Sequence, residues 1–154
     1  MSPVTITMPP PSNGPFYFSG SVTRTPRLNT GTAKKYRLVL TRRPNYLCAS
    51  VSGDMLDGAV VLGYHAEIIA HCRRHGYSRV LIERDLPGVL SSGESFFVSR
   101  QLVQMGIGAL KIAFVAREED LERLEFSSTV ANNRGANTRA FLNYSEALHW
   151  LLVP

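Results

Sequence analysis

The chain lacks most of the features that commit a small protein to one chemistry. Of its 154 residues only two are cysteine, Cys48 and Cys72. Neither has a Cys-x-x-Cys partner, and two thiols cannot build a framework of bridges. Both fall in apolar, periodic stretches, where a free cysteine behaves as a small hydrophobe. A reducing cytoplasm is the simplest compartment for such a chain. No stretch reaches the roughly 18 consecutive apolar residues of a membrane span. Residues 1–11 lack the basic start and apolar run of a signal peptide. There is no Gly-x-Ser-x-Gly elbow, no P-loop lysine, and no Gly-x-Gly-x-x-Gly following a strand. Gly106-Ile107-Gly108 precedes a strand and reads as a turn. No catalytic constellation assembles and no cofactor is implied, so the chain reads as a binding protein rather than an enzyme.

Acidic residues are missing from residues 1–53, which hold Arg24, Arg27, Lys34, Lys35, Arg37, Arg42 and Arg43. That third carries +7, while the chain as a whole carries +5. A basic arm can contact phosphates or an anionic surface, so nucleic acid is the alternative partner. Seven charges over some twenty residues also suit a solvated tail and first strand.

What the chain does have is alternation. Residues 1–33 are rich in Pro, Ser, Thr and Gly and read as a flexible leader. Phe16, Tyr17 and Phe18 in that leader could tuck onto the domain or across a homodimer. Residues 34–154 read as a single α/β domain. Two strands, 36–41 and 46–51, are joined by the turn Arg42-Arg43-Pro44-Asn45 as an antiparallel hairpin. A helix over 57–75 carries the stripe Val61, Tyr64, Ile68 and Cys72, flanked by Leu62 and Ile69. Arg73 and Arg74 suit its last turn and Gly76 its stop.

The remainder repeats strand then helix. A strand over 79–83 leads through a loop, 84–90, to Ser91-Ser92-Gly93-Glu94, a capping box. The helix that follows turns Val98, Leu102 and Met105 inward and ends at Gly106. A strand over 111–116 precedes a helix opened by Glu118-Glu119-Asp120, with Leu121, Leu124, Phe126 and Val130 expected inward. A strand over 138–142 and a helix capped by Asn143 complete the chain, with Ala147, Trp150 and Leu151 on one face. The order predicts a mainly parallel sheet with right-handed crossovers and an antiparallel first strand.

Phe126, Asn132-Asn133-Arg134-Gly135, Arg139, Phe141 and the ending Glu146-Ala147-Leu148-His149-Trp150-Leu151 resemble the STAS-like, SpoIIAA-like group of small bacterial domains. Residues 46–152 fit that layout. The resemblance implies a module that binds a protein partner, while a related lipid-transfer fold holds apolar ligands. Some STAS domains are switched by phosphorylation of a serine opening a helix. In those, an acidic residue closes the strand and Ser-Ser-Gly follows directly. Here Asp85 is separated from Ser91-Ser92-Gly93 by residues 86–90.

Three side-chain groups invite a site reading. Glu83 and Asp85 end a strand, and ligands gather at the carboxyl ends of open parallel sheets. With Ser91, Ser92 and Gly93 they form the candidate ligand or partner loop, and Ser91 and Ser92 are the candidate phosphorylation sites. Glu67, His71 and His75 follow at i, i+4 and i+8 on the first helix. They spread over two turns beside Arg74, and a solvated face explains them without a metal. Cys72 lies beside His71, Arg73 and Arg74, but it sits on the inward stripe and reads as a core thiol.

Overall fold

The computed structural model describes residues 34–154 and the backbone of a two-residue strand at Val4–Thr5. The other residues before 34, among them Phe16, Tyr17, Phe18, Arg24 and Arg27, lie outside the described residues. In chain order the elements are β1 (Val4–Thr5), β2 (Tyr36–Arg42), β3 (Leu47–Gly53), α1 (Gly58–His75), β4 (Arg79–Asp85) and α2 (Ser92–Met105). A single 3-10 turn, Ile107–Ala109, then leads to β5 (Lys111–Val115), α3 (Glu118–Asn132), β6 (Asn137–Phe141) and α4 (Tyr144–Leu152).

The strands form one mixed sheet in the order β1-β2-β3-β4-β5-β6. β1 and β3 run antiparallel to β2, and β3 through β6 are parallel to one another. This is the α/β architecture expected, with the hairpin in place. Several strand boundaries differ from expectation by one or two residues, and the one that bears on the site is that β4 runs on to Asp85 rather than stopping at Glu83. Its last residues keep pairing with β3, Glu83 opposite Ser50 and Asp85 opposite Ser52. A longer neighbouring strand thus extends a segment whose own sequence turns charged.

Side chains alternate across a strand, so each strand feeds two cores. Leu38, Leu47, Ala49, Val80, Ile82, Ile112 and Phe114 face α1, α2 and α3. Cys48, Leu81, Ala113 and Phe141 face α4, where Ala147 and Leu151 are wholly buried. Both faces being covered explains why β4 and β5 read as continuous apolar runs.

Helix ends obey local chemistry. The Asp57 carboxylate accepts from the Val60 amide at 2.8 Å, capping α1. Ser91 and Glu94 form the full reciprocal box at α2. Gly76 and Gly106 stop α1 and α2 with φ of 77° and 101°, a left-handed conformation that a side chain would strain. Asn132 pins the start of β6, its amide bridging the Thr138 backbone N–H at 2.9 Å and C=O at 2.8 Å.

The expected inward face of α3 needs correction at Phe126. Leu124, Ser128 and Ala131 form the buried row, one turn apart, while Phe126 stands on the opposite side and is 37% exposed. Its ring meets Phe96 edge-on at 6.1 Å. Asp120 is buried instead, at 6% exposure. Val130, one turn further along, is buried as expected, so the correction is confined to Phe126.

Candidate functional site

The five residues of the proposed loop do not form one cluster. Glu83 and Asp85 share the α4 side of the sheet with Leu81, because all three sit at odd positions of one strand. Glu83 accepts from the Ser50 hydroxyl at 3.2 Å and lies 3.7 Å from the Cys48 sulfur. Asp85 pairs with Arg117 at 2.9 Å. Together these groups rim a shallow, open depression above the ends of β3, β4 and β5. Ser91, Ser92 and Gly93 open α2. The Ser91 hydroxyl accepts from the Glu94 amide at 3.1 Å, and Ser92 accepts from Arg123 at 3.2 Å.

Arg84, between the two acids, lines both that depression and a half-open chamber between α1, α2, α3 and the sheet. The chamber measures about 50 Å³. Its apolar walls are Val61, Val98, Leu102, Ile107, Phe114 and Leu124. Tyr64 and His65 of α1 and Ser128 of α3 also line it. Among the described residues, the Tyr64 hydroxyl, His65 Nε2 and Ser128 Oγ are all buried without a close hydrogen-bond partner, although the Arg84 guanidinium lies near enough to the Tyr64 hydroxyl to act on it. Tyr64 is 0%, His65 2% and Ser128 8% exposed. Buried polar atoms are ordinarily paired, so three orphans on one chamber call for a physical reason.

The tautomer of His65 follows from its other nitrogen. Nδ1 lies 2.8 Å from the Val61 carbonyl, which can only accept. Nδ1 therefore carries the hydrogen, and Nε2 presents a lone pair. Burial, partly opposed by that backbone bond, lowers the His65 pKa from its ordinary value to about 4, and Arg84 lowers it further. The ring is held neutral, stacked on Tyr64 at 4.5 Å. Burial also pushes up the Tyr64 phenol.

The helix covering the chamber is unusual. α2 buries Ser95, Val98, Ser99 and Leu102, yet leaves Phe96 and Phe97 at 47% and 55% exposure. Ser95 bonds across to Ser127 of α3 at 2.8 Å. Two of the four buried residues are thus serines, and aromatic area is spent outward. Arg123 and Arg134 lie over the faces of Phe126 and Phe96.

The remaining sequence candidates have structural partners. Glu67 accepts from the Tyr36 hydroxyl and from Lys34. His71 is buried at 8%, with the His75 ring 4.3 Å away. This corrects the reading of a solvated face: the α1–β2 packing covers Glu67 and His71, and only His75 stays open. Among the described residues no group of three His, Cys, Asp or Glu is placed to hold a metal ion. Cys72 is 2% exposed, and burial pushes its thiol up to about 12. Burial and then Glu83 push Cys48 up to about 11. Both are protonated at neutral pH and are poor nucleophiles. No helix among the described residues is long and apolar enough to cross a membrane.

No family model and no curated protein matches the chain. Among solved structures it is similar to an uncharacterized protein of the DUF3478 family with a SpoIIAA-like fold from Shewanella loihica. The two are 18% identical with a TM-score of 0.49, over 80% of this chain and 98% of that one.

Sequence reasoning reached Tyr64 as an inward residue but missed His65, Arg84 and Ser128. Even positions of β4 face the chamber and odd ones face α4, yet both sets begin apolar. The alternation alone does not say which side holds a void.

Proposed function

We propose that the chain is a non-enzymatic, STAS-like binding module whose ligand is small, largely apolar, and held in the chamber beneath α2. The observation that supports this is the combination of apolar walls with three lining residues whose buried polar atoms have no close hydrogen-bond partner among the described residues. Ligand sites commonly pair apolar lining with a few placed polar groups. The chamber is smaller than the roughly 150 Å³ that admits benzene, so its occupant has only a few heavy atoms. A longer tail requires α2 to lift, and its half-serine interface makes that movement less costly than peeling away an aliphatic one. Ligand-observed NMR with a panel of small organic probes tests the reading. Binding is expected, and Ser99→Leu, which fills the chamber, is expected to weaken it at least tenfold. Equal binding to both proteins would remove the chamber from the account.

A second reading, recognition of a protein partner, rests on Phe96, Phe97 and Phe126. Exposed aromatic side chains beside arginines resemble the residues that dominate protein interfaces. Phe97→Ser is expected to abolish capture of such a partner while leaving probe binding intact. Phosphorylation would act differently at the two serines. A phosphate on Ser92 would face Arg123, whereas one on Ser91 would disrupt the cap and meet Glu94. The nucleic-acid alternative is supported only by the charge of residues 1–53. Its test is salt-dependent heparin retention lost on deleting residues 1–43.

A further inference from the structure

We propose that the chamber is a site for a short-chain carboxylic acid, taken up together with its proton. The inference rests on the chamber reading above and specifies the head group. Tyr64, His65 and Ser128 line the chamber, each carrying one buried polar atom, and the hydrogen-bonding characters of these atoms differ. His65 Nε2 can only accept, because Nδ1–H is committed to Val61. The Tyr64 and Ser128 hydroxyls can each donate. A carboxylic acid matches this set: its O–H donates to His65, and its two oxygens accept from Tyr64 and Ser128.

Charge then separates the acid from an alcohol or an amide. The charged groups lining the chamber are Arg84 from β4 and Arg123 from α3, with no carboxylate among the lining residues. The titratable groups there are Tyr64 and His65 of α1. The lining of α2 includes Ser95 and Ser99, and that of β5 is Phe114. A site flanked by guanidinium groups favours anionic character in its occupant and opposes an amine. The same positive field works against an isolated imidazolium, and the acid's own negative charge relieves that. An ionised carboxylate would meet Nε2 lone pair to lone pair, so their contact requires one proton between them, and the complex gains one proton for each carboxylate taken from neutral solution. The apolar walls leave room for an alkyl body of two or three carbons.

The test uses the full chain with sodium propionate, propan-1-ol and propionamide as probes, followed by NMR titration and calorimetry. Propionate is expected to bind about tenfold more tightly than either neutral probe, the increment of one charge-assisted hydrogen bond. Its affinity is expected to rise about tenfold per pH unit from pH 8 to pH 6, with one proton taken up per ligand. Arg84→Gln is expected to remove the preference for propionate over propan-1-ol. Arg84 is partly exposed at the chamber edge, so this variant retains the fold. If propan-1-ol or propionamide binds as well as propionate, the head-group assignment fails and the chamber reading survives. Propionate affinity that does not change with pH removes the proton from the proposal. If no probe binds, both readings fall.

Discussion

The two faces of the sheet solve the same packing problem differently. On the α4 side, Tyr46 and Tyr144 join hydroxyl to hydroxyl at 2.7 Å, and Leu81, Ala147 and Leu151 are wholly buried. On the α1–α3 side, Tyr64 is wholly buried, yet among the described residues its hydroxyl has no close hydrogen-bond partner, and neither does its neighbour His65 at Nε2. One chain can therefore pair a tyrosine hydroxyl on one side of the sheet and leave another without a close partner on the other. The α4 face looks selected for packing. The other face gives up some packing for a lined space, the pattern expected where a site is placed on a fold.

Leu151→Ala should break the packed face with the largest effect. Leu151 is wholly buried in the small cluster under α4. Its truncation is expected to destabilise the protein by about 3 kcal/mol, the middle of the range for buried leucines. Chemical denaturation measures it. A loss under about 1 kcal/mol would mean that α4 collapses onto the gap and that this face is not tightly packed.

His65 sharpens the contrast through pH. Its pKa is depressed in the folded chain, so the unfolded chain binds the extra proton first as pH falls. Stability is complete above about 6.5 and is lost as pH falls toward 4. Over that window the loss attributable to this ring is about 3 kcal/mol. His71 is lowered in the same direction by burial, then by His75, Arg42 and Arg74, and adds to the slope. Urea unfolding at pH 7 and pH 4.5, compared between the parent and His65→Phe, isolates the contribution. A parent and variant with equal pH slopes would place the ring in contact with solvent.

Much of the architecture could be read from the sequence. The hairpin turn, the glycine stops at Gly76 and Gly106, and the Ser91–Glu94 box are local signals, and local chemistry decides them. The chamber could not be read because its signals are not local. His65 lies beside the apolar stripe of α1, where a histidine ordinarily meets water. Ser95 and Ser99 look like a solvent face until α3 is packed over them. Phe126 looks like a core residue until Leu124 and Ser128 occupy the buried row. Glu83 and Asp85 drew notice as acids at a strand end, but the residue between them also lines the chamber. Which face holds the void depends on how three helices meet, and no single segment encodes that.

The smallest effect is also the most direct comparison: remove one hydroxyl from each face. Tyr144→Phe deletes half of a 2.7 Å hydrogen bond and leaves the Tyr46 hydroxyl unpaired. The expected loss is about 1 kcal/mol. Tyr64→Phe deletes a hydroxyl that has no close hydrogen-bond partner among the described residues, so the expected change is within about 0.5 kcal/mol of zero. The two substitutions change the same atom in the same residue type, so their difference reports the setting alone. Propionate binding should follow the opposite order, weakened by Tyr64→Phe and unmoved by Tyr144→Phe. Stability and binding would then be divided between the two faces, each tyrosine hydroxyl serving one and not the other. Equal losses of stability would instead make Tyr64 a structural residue like Tyr144, and the chamber a packing feature with no ligand to explain.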